Sequence, residues 1–299
     1  MKNKNSLFKR ILALAMCGVL VFSLAACSND RGESSTSDSS ISNPVTEPTS
    51  GDPVEPKQEV LDKIDAAYKQ NDDVVGWLSV PGTNIDNEVL QGDDNVYYER
   101  RDITEQYNFY GCYYADAGNS FGTRNDLSRN TIIYGHNMHN TTDGPKFGEL
   151  QKYIDFNGDG TIFNDDVPTA NDVSFAKEHP VIYFSTVDDD MVWVIYAAYF
   201  TDLGFQYHLE NPDDATFESM IKEAKERSRL NYDVDVNTSD RILTLSTCAY
   251  KYGVEKRDLR FVIQARLLRP GEEIPTEAKV TKNPSPKEPA QHATSTVAG

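Results

Sequence analysis

Positively charged residues are scarce in this sequence. Twenty-nine Lys and Arg stand against 47 Asp and Glu, which gives a net charge of −18 over 299 residues. A protein that binds nucleic acid needs a basic face for the phosphates, and one that binds anionic lipid headgroups needs a cluster of basic side chains. The charge balance therefore argues against both kinds of partner.

Cysteine is scarce as well, and the N-terminal apolar run is shorter than a typical membrane span. Of the four cysteines, Cys17 and Cys27 lie in the N-terminal segment. Cys112 and Cys248 remain for the folded domain, and two cysteines do not make a disulfide scaffold. The apolar run from Ile11 to Ala26 has 16 residues, whereas a spanning helix needs roughly 20.

Residues 1–27 have the layout of an export signal, with four basic residues among the first ten followed by the apolar run. The run ends in Leu24-Ala25-Ala26-Cys27, which resembles a bacterial lipobox, so Cys27 is the predicted lipidation site. The alternative is an uncleaved membrane helix with a chance cysteine. Both interpretations place the rest of the chain outside the cytoplasmic membrane.

Composition divides the remaining chain into three parts. Residues 28–56 are rich in Ser, Thr, Asp, Glu, Pro and Gly, so they bury too little apolar surface to fold and form a flexible tether. Residues 270–299 have a similar composition, and we expect a disordered tail there. The folded domain is therefore predicted at residues 57–269.

Short strand patterns dominate this domain. The predicted strands are 77–80, 84–89, 111–114, 130–134, 181–185, 191–200, 241–247 and 260–268, and the predicted helices are 59–70 and 216–229. Turn residues separate the strands, and the triplet at 188–190 indicates a hairpin. The pattern favours a mostly antiparallel β-barrel with helical additions.

Three residues at predicted strand ends could form an acyl-transfer site. Cys248 ends one strand, and Arg260 opens the next after an eleven-residue loop. If the two strands pair, the thiol and the guanidinium lie at the same mouth, where a cation favours the nucleophilic thiolate. His136 follows a third strand at an exposed turn. Taken singly, each residue also has an ordinary structural explanation, such as a buried thiol or a solvated charge.

The residues around this site resemble the sortases. Thr244-Leu245-Ser246-Thr247-Cys248 followed by Arg260-Phe261-Val262-Ile263 is similar to the sortase signature, and its TLSTC form resembles class B. Further class B-like blocks occur in the same order at residues 71–78, 91–98 and 133–138. The resemblance covers roughly residues 57–269.

The resemblance implies a sortase-type closed β-barrel with an N-terminal helix and a cysteine transpeptidase activity that needs no cofactor. Cys248 would attack the carbonyl of a Thr in a C-terminal sorting motif, His136 would act as general acid and base, and Arg260 would hold the oxyanion. Asn95 and Ser246 fall where class B enzymes contact substrate. The partners would be surface proteins with a sorting motif and an amine of peptidoglycan or of another protein.

Some features depart from the family pattern or leave alternatives open. Lipobox attachment at Cys27 is unusual for the family, and Ala249 stands where an acidic residue is common. Arg257 is the reserve candidate for the role of Arg260. The functional alternatives are a pilin-type polymerase, a cysteine hydrolase and a non-catalytic surface-binding lipoprotein. The expected location is the outer face of the membrane of a Gram-positive-type bacterium.

Residues 155–166 match a twelve-residue EF-hand loop, which the family does not explain. The matching ligands are Asp155, Asn157, Asp159, Thr161 through its carbonyl, and Asp166. Gly160 falls at the tight turn that such loops need. Phe163 departs from the pattern because it cannot hold a ligand water through its side chain. The loop predicts a structural Ca²⁺ site, and the alternative is an acidic surface turn.

Overall fold

The computed structural model describes residues 52–137, 147–154, 172–250 and 258–289. The chain divides into a unit at Met1–Glu47, which lies outside these residues, and a unit at Pro48–Gly299, which contains all of them.

Eight strands of the second unit close into a barrel. The ten described strands are β1 (Val74–Ser79), β2 (Asp86–Leu90), β3 (Tyr113–Ala115), β4 (Asn130–Tyr134), β5 (Val181–Ser185), β6 (Val192–Thr201), β7 (Leu230–Tyr232), β8 (Ile242–Cys248), β9 (Arg260–Leu267) and β10 (Val280–Lys282). The barrel order is β1-β2-β3-β4-β8-β9-β6-β5. The β2–β3 and β4–β8 pairs are parallel, and the other barrel pairs are antiparallel.

The central strands are buried on both faces. In β8, Leu243 and Leu245 pack into the barrel core, while Ile242 belongs to a second apolar cluster outside the barrel wall. Side chains alternate between the faces of a strand, so in β8 and β9 the even-numbered residues face outwards. Burial on both sides explains why these strands are almost uninterrupted apolar runs.

In the described ranges, three α-helices and two 3-10 helices lie around the barrel. The α-helices are α1 (Gln58–Tyr68), α2 (Ser174–Glu178) and α3 (Asp214–Arg227), and the 3-10 helices span Tyr97–Arg100 and Phe147–Ile154. Asp213 caps α3 by accepting a hydrogen bond from the Thr216 backbone at 2.8 Å. Phe217 of α3 packs against the outer apolar cluster of the barrel wall. Within the described part of the chain, no helix has the length and apolar character that a membrane crossing requires.

The predicted fold class is confirmed, because the described residues form a mostly β structure with a closed barrel and an N-terminal helix. The predicted bounds of β4 and β5 match the structure, and the hairpin at 188–190 joins β5 to β6.

The prediction of a disordered tail from residue 270 is wrong for residues 270–289. β10 pairs antiparallel with β7 in a two-stranded sheet, and Arg229 makes two 2.7 Å hydrogen bonds to the Glu288 carboxylate. The largely exposed β10 has no apolar alternation, and its partner strand lies about 50 residues earlier in the chain. A local sequence pattern therefore gives no sign of this pairing.

The C-terminal end of the predicted tether also contacts the barrel. The Val54 backbone N–H donates to the Asp189 carboxylate at 2.8 Å, and its carbonyl accepts from the Asp190 backbone at 2.7 Å. Arg124 donates to the same Asp189 carboxylate at 2.7 and 2.8 Å. The predicted tether therefore ends too late in the chain, since Val54 is already hydrogen-bonded to the β5–β6 hairpin.

Candidate active site

Three neighbouring strands carry the sequence-predicted catalytic residues to one end of the barrel. Tyr134 of β4 lies opposite Ser246 of β8, and Cys248 lies opposite Arg260 of β9. Because Leu245 points into the barrel core, strand alternation places Ser246 and Cys248 on the outer face. The site is therefore built on the barrel wall and not in the packed interior.

A cleft of about 310 Å³ opens on this outer face. It is lined by Asn95, Glu99, Tyr114, Tyr134, Gly135, His136, Leu203, Tyr207, His208, Ser246, Thr247, Cys248 and Arg260. Cys248 in this lining is a half-buried free cysteine. The lining thus brings together a thiol, an imidazole and a guanidinium that are far apart in the chain.

His136 is held at the end of β4 by packing and by one backbone hydrogen bond. A side chain at Gly135 would meet the rings of Phe147 and Tyr113 at 2.8 Å, so the turn before His136 has no room for one. The His136 Nε2–H donates to the Glu99 carbonyl at 2.7 Å. A carbonyl can only accept, so Nε2 carries the hydrogen and the neutral ring has its lone pair at Nδ1.

Burial lowers the pKa of His136 below its usual value, and the positive charge of Arg100 lowers it further. The hydrogen bond to the Glu99 carbonyl opposes this effect without overcoming it. The imidazole of His136 is therefore mostly neutral at pH 7.

Arg260 supplies the positive charge of the cleft. It is half-buried, and of the described cleft residues it alone carries a permanent positive charge.

Asn137 connects the His136 turn to the end of β8, because its side-chain amide donates to the Cys248 carbonyl at 3.0 Å. The relative positions of His136 and Cys248 are thus fixed by a direct bond between their neighbouring segments.

Two curated proteins have sequences similar to this chain. Sortase B of Listeria monocytogenes is 34% identical over 211 residues, which cover 70% of this chain and 76% of the relative. The chain belongs to the sortase B family. Sortase B of Staphylococcus aureus is 30% identical over 217 residues, which cover 72% of this chain and 76% of that protein. The protein is therefore a sortase, a cysteine transpeptidase. No protein-family model matches the chain.

Solved sortase B structures agree with the fold. A structure of the Staphylococcus aureus sortase B–substrate complex is 28% identical with a TM-score of 0.56, and the match covers 70% of this chain and 85% of that one. Sortase B from Listeria monocytogenes is 32% identical with a TM-score of 0.52, and the match covers 66% of this chain and 96% of that one.

The two sequence-predicted substrate contacts of this sortase, Asn95 and Ser246, both line the cleft. Asn95 is exposed, and both ends of its amide are hydrogen-bonded within the protein. Ser246 is 2% exposed, and its hydroxyl shares a 2.9 Å hydrogen bond with the Tyr207 hydroxyl. Asn95 is therefore the more accessible of the two.

Sequence reasoning missed several residues of the cleft. Tyr134 could have been found, because it lies two residues before His136 and hence on the same side of an extended chain. Leu203 and Tyr207 come from the connection between β6 and α3, which no motif marks. Glu99 and Tyr114 likewise lie far from Cys248 in the chain, and only the folded barrel brings them to the cleft.

Other predicted residues fall elsewhere. Cys112 is buried, and burial raises the pKa of its thiol to about 12, so it is not a competing nucleophile at pH 7. Cys27, Arg257 and the predicted calcium ligands of the 155–166 loop lie outside the described residues. Within the ranges that the structure describes, no group of three or more His, Cys, Asp or Glu side chains could hold a metal ion.

Proposed function

We propose that this sortase cleaves a C-terminal sorting motif after Thr and joins the acyl group to an amine, with Cys248 as nucleophile. The observation that carries the proposal is the cleft itself, in which Cys248 and Arg260 face each other across β8 and β9 beside His136. A non-catalytic lipoprotein would have no need to keep these three side chains together.

The first half-reaction forms a thioester. The Cys248 thiolate attacks the carbonyl carbon of the Thr, and the carbonyl π electrons move to oxygen. The Arg260 guanidinium stabilises the resulting oxyanion through charged hydrogen bonds. As the tetrahedral intermediate collapses, the C–N bond breaks and protonated His136 gives its proton to the leaving amine.

The second half-reaction reverses these roles. The acceptor amine attacks the thioester carbonyl, neutral His136 takes a proton from the attacking nitrogen, and the C–S bond breaks to release the Cys248 thiolate. With its Nε2–H bound to the Glu99 carbonyl, His136 would exchange the proton at Nδ1.

The lowered pKa of His136 favours the two half-reactions unequally. Neutral imidazole is the form needed to accept a proton from the incoming amine. The imidazolium needed for acylation is the minor form at pH 7.

Asn95 and Ser246 are the proposed substrate contacts, and the proposed acceptor is an amine of peptidoglycan or of a surface protein. Two solved sortase B complexes support an amine acceptor and a peptide substrate. A sortase B that is 27% identical with a TM-score of 0.55 has been solved in complex with triglycine, and the Staphylococcus aureus enzyme has been solved with substrate. We place the enzyme outside the cytoplasmic membrane, anchored at Cys27 or by an uncleaved N-terminal helix.

The proposal is tested by trapping the acyl-enzyme. The wild-type enzyme is incubated with a library of peptides that carry Thr at the scissile bond, and intact mass spectrometry records adducts on the protein. We expect an adduct on Cys248 that disappears in Cys248→Ala and persists in the matched Cys112→Ala variant. Adding triglycine, a lysine-containing peptide or water alone then shows which acceptor resolves the adduct. Transfer by Cys248→Ala would refute the mechanism.

A further inference from the structure

A buried carboxylate lies directly behind the cleft. Asp116 follows β3 and is 4% exposed, and it is not itself part of the cleft lining. Its backbone is fixed on both sides, because its N–H donates to the Ile132 carbonyl at 2.9 Å and its carbonyl accepts from the Gln91 side chain at 2.9 Å. The carboxylate therefore has little freedom to move.

This carboxylate binds two residues that do line the cleft. One oxygen of Asp116 accepts from the Asn95 side-chain amide and from the Tyr134 hydroxyl, each at 2.8 Å. The other oxygen accepts from the Gly118 backbone at 2.9 Å. A single buried group thus holds one side chain from the loop after β2 and one from the end of β4.

The bond to Asp116 gives the Asn95 amide a single orientation. Its Nδ2 donates to the carboxylate, and its Oδ1 accepts from the Ala117 backbone at 2.7 Å. A flip of the amide would set oxygen against carboxylate oxygen and N–H against N–H, so the reverse orientation is excluded. The second N–H of the Asn95 amide remains for a substrate. Asn95 is exposed and lies outside any helix or strand, so these two hydrogen bonds are what orient its amide.

Tyr134 is fixed by the same group. Burial raises the pKa of its hydroxyl, and the charge of Asp116 raises it further, so Tyr134 stays protonated and donates to the carboxylate. Its ring packs against that of Tyr114, another cleft residue, with 5.3 Å between centroids.

We propose that Asp116 is a positioning residue that orients Asn95 and Tyr134 for the sorting peptide, an inference that rests on the proposed function. A buried charged acceptor suits this task because charge-assisted hydrogen bonds are stronger and better aligned than neutral ones. Two exposed or half-exposed polar side chains are thereby ordered before the peptide binds, which lowers the entropy lost on binding.

The test replaces Asp116 with Asn, which has the same shape but no charge and only one acceptor oxygen, so its N–H₂ group must face either the two side-chain donors or the Gly118 N–H. Asp240→Asn is the matched control, since Asp240 is a buried carboxylate at the opposite end of β8 that bonds Arg269 at 2.7 Å. Two rates are measured on each protein. One is kcat/KM for a fluorogenic peptide that the wild-type enzyme cleaves after Thr, and the other is modification of Cys248 by a small methanethiosulfonate.

We expect Asp116→Asn to lower kcat/KM about tenfold, mainly through KM, because about 1.4 kcal/mol of oriented contact corresponds to that factor. The thiol modification rate should stay within twofold, since the reagent does not use Asn95 or Tyr134. Asp240→Asn should change neither rate. In a background that combines Asn95→Ala with Tyr134→Phe, Asp116→Asn should have less than a twofold further effect.

Unchanged kcat/KM, an equal loss in both backgrounds, or a parallel fall in thiol modification would each overturn the assignment. Asp116→Ser, which removes the charge and leaves room for water, serves where Asp116→Asn fails to fold. If the wild-type enzyme cleaves no peptide after Thr, the proposed function fails and this inference with it. If the wild type is active and Asp116→Asn is unaffected, the inference alone fails.

Discussion

Replacing Arg260 with Ala removes the one permanent positive charge from the described lining of the cleft. Arg260 lies opposite Cys248 in the β8–β9 register, and directly opposed residues of an antiparallel pair have Cα atoms about 4.5–5.5 Å apart. Both side chains face outwards, so the guanidinium can reach an oxyanion that forms next to the Cys248 sulfur.

The expected loss follows from this position. Removing one preorganised oxyanion donor typically costs about 10²–10³ in turnover, or about 2.7–4 kcal/mol. Arg260→Ala should lose activity on that scale. Arg260→Lys keeps the charge but not the planar fork of donors, so we expect an intermediate loss.

The assay measures single-turnover formation of the Cys248 thioester by intact mass, together with thiol modification by a methanethiosulfonate. Arg266→Ala is the matched control. Arg266 lies on the same strand and the same outer face, six residues further on, where it bonds Glu272 at 2.6 and 2.8 Å. We expect this variant to lose stability while its acylation rate below the unfolding transition stays near that of the wild type.

Acylation by Arg260→Ala within threefold of the wild-type rate would refute the oxyanion role. A larger loss in Arg257→Ala than in Arg260→Ala would assign the role to the reserve candidate instead. A loss in Arg266→Ala equal to that in Arg260→Ala would show that the effect reports on β9 as a whole.

Three further outcomes are expected. An NMR titration should place the pKa of His136 below its usual value of about 6.5. Arg100→Gln should raise the pKa of His136, and the difference between the variant and the wild type should shrink at high salt because the charges are screened. An unchanged pKa in Arg100→Gln would contradict the electrostatic cause. If residues 155–166 bind Ca²⁺, the thermal midpoint of unfolding should rise when Ca²⁺ is added. At a hundredfold excess over Kd, the free energy of unfolding should increase by about 2.7 kcal/mol. Asp155→Ala with Asp166→Ala should abolish that rise, and a midpoint insensitive to both Ca²⁺ and chelator would leave an acidic turn. Cys27→Ala should block signal cleavage before Cys27, and a wild-type protein that retains residues 1–26 would favour the membrane helix.

Local sequence patterns were sufficient for the eight strands of the barrel and for one half of the site. The run from Ile242 to Cys248 and the run that begins at Arg260 are each long enough to predict a strand, and an eleven-residue loop joins them. Their pairing places Cys248 opposite Arg260, as the structure shows. The pairing, which the sequence analysis considered as a condition, agrees with the tendency of consecutive strands to be neighbours in a sheet.

The tail shows where such reasoning fails. β10 has three residues and no apolar alternation, but it pairs with β7, and Glu288 beyond it binds the distant Arg229 side chain. Composition reports on the apolar surface that a segment can bury. It carries no information on backbone hydrogen bonds to a partner strand, so composition alone predicts a disordered tail here.

The sequence by itself determined the candidate catalytic side chains, because the thiol, imidazole and guanidinium each stand at the end of a recognisable strand. Only the tertiary structure decided how they meet. β8 is buried on both faces, so its pattern does not show which side is outside, and the parallel pairing that brings His136 to Cys248 joins segments more than 100 residues apart. The Glu99 carbonyl that holds His136 and the Asp116 carboxylate behind Asn95 arrive through the same closure of the barrel. Contacts of this kind depend on burial and strand register across the whole chain, which no local window of residues contains.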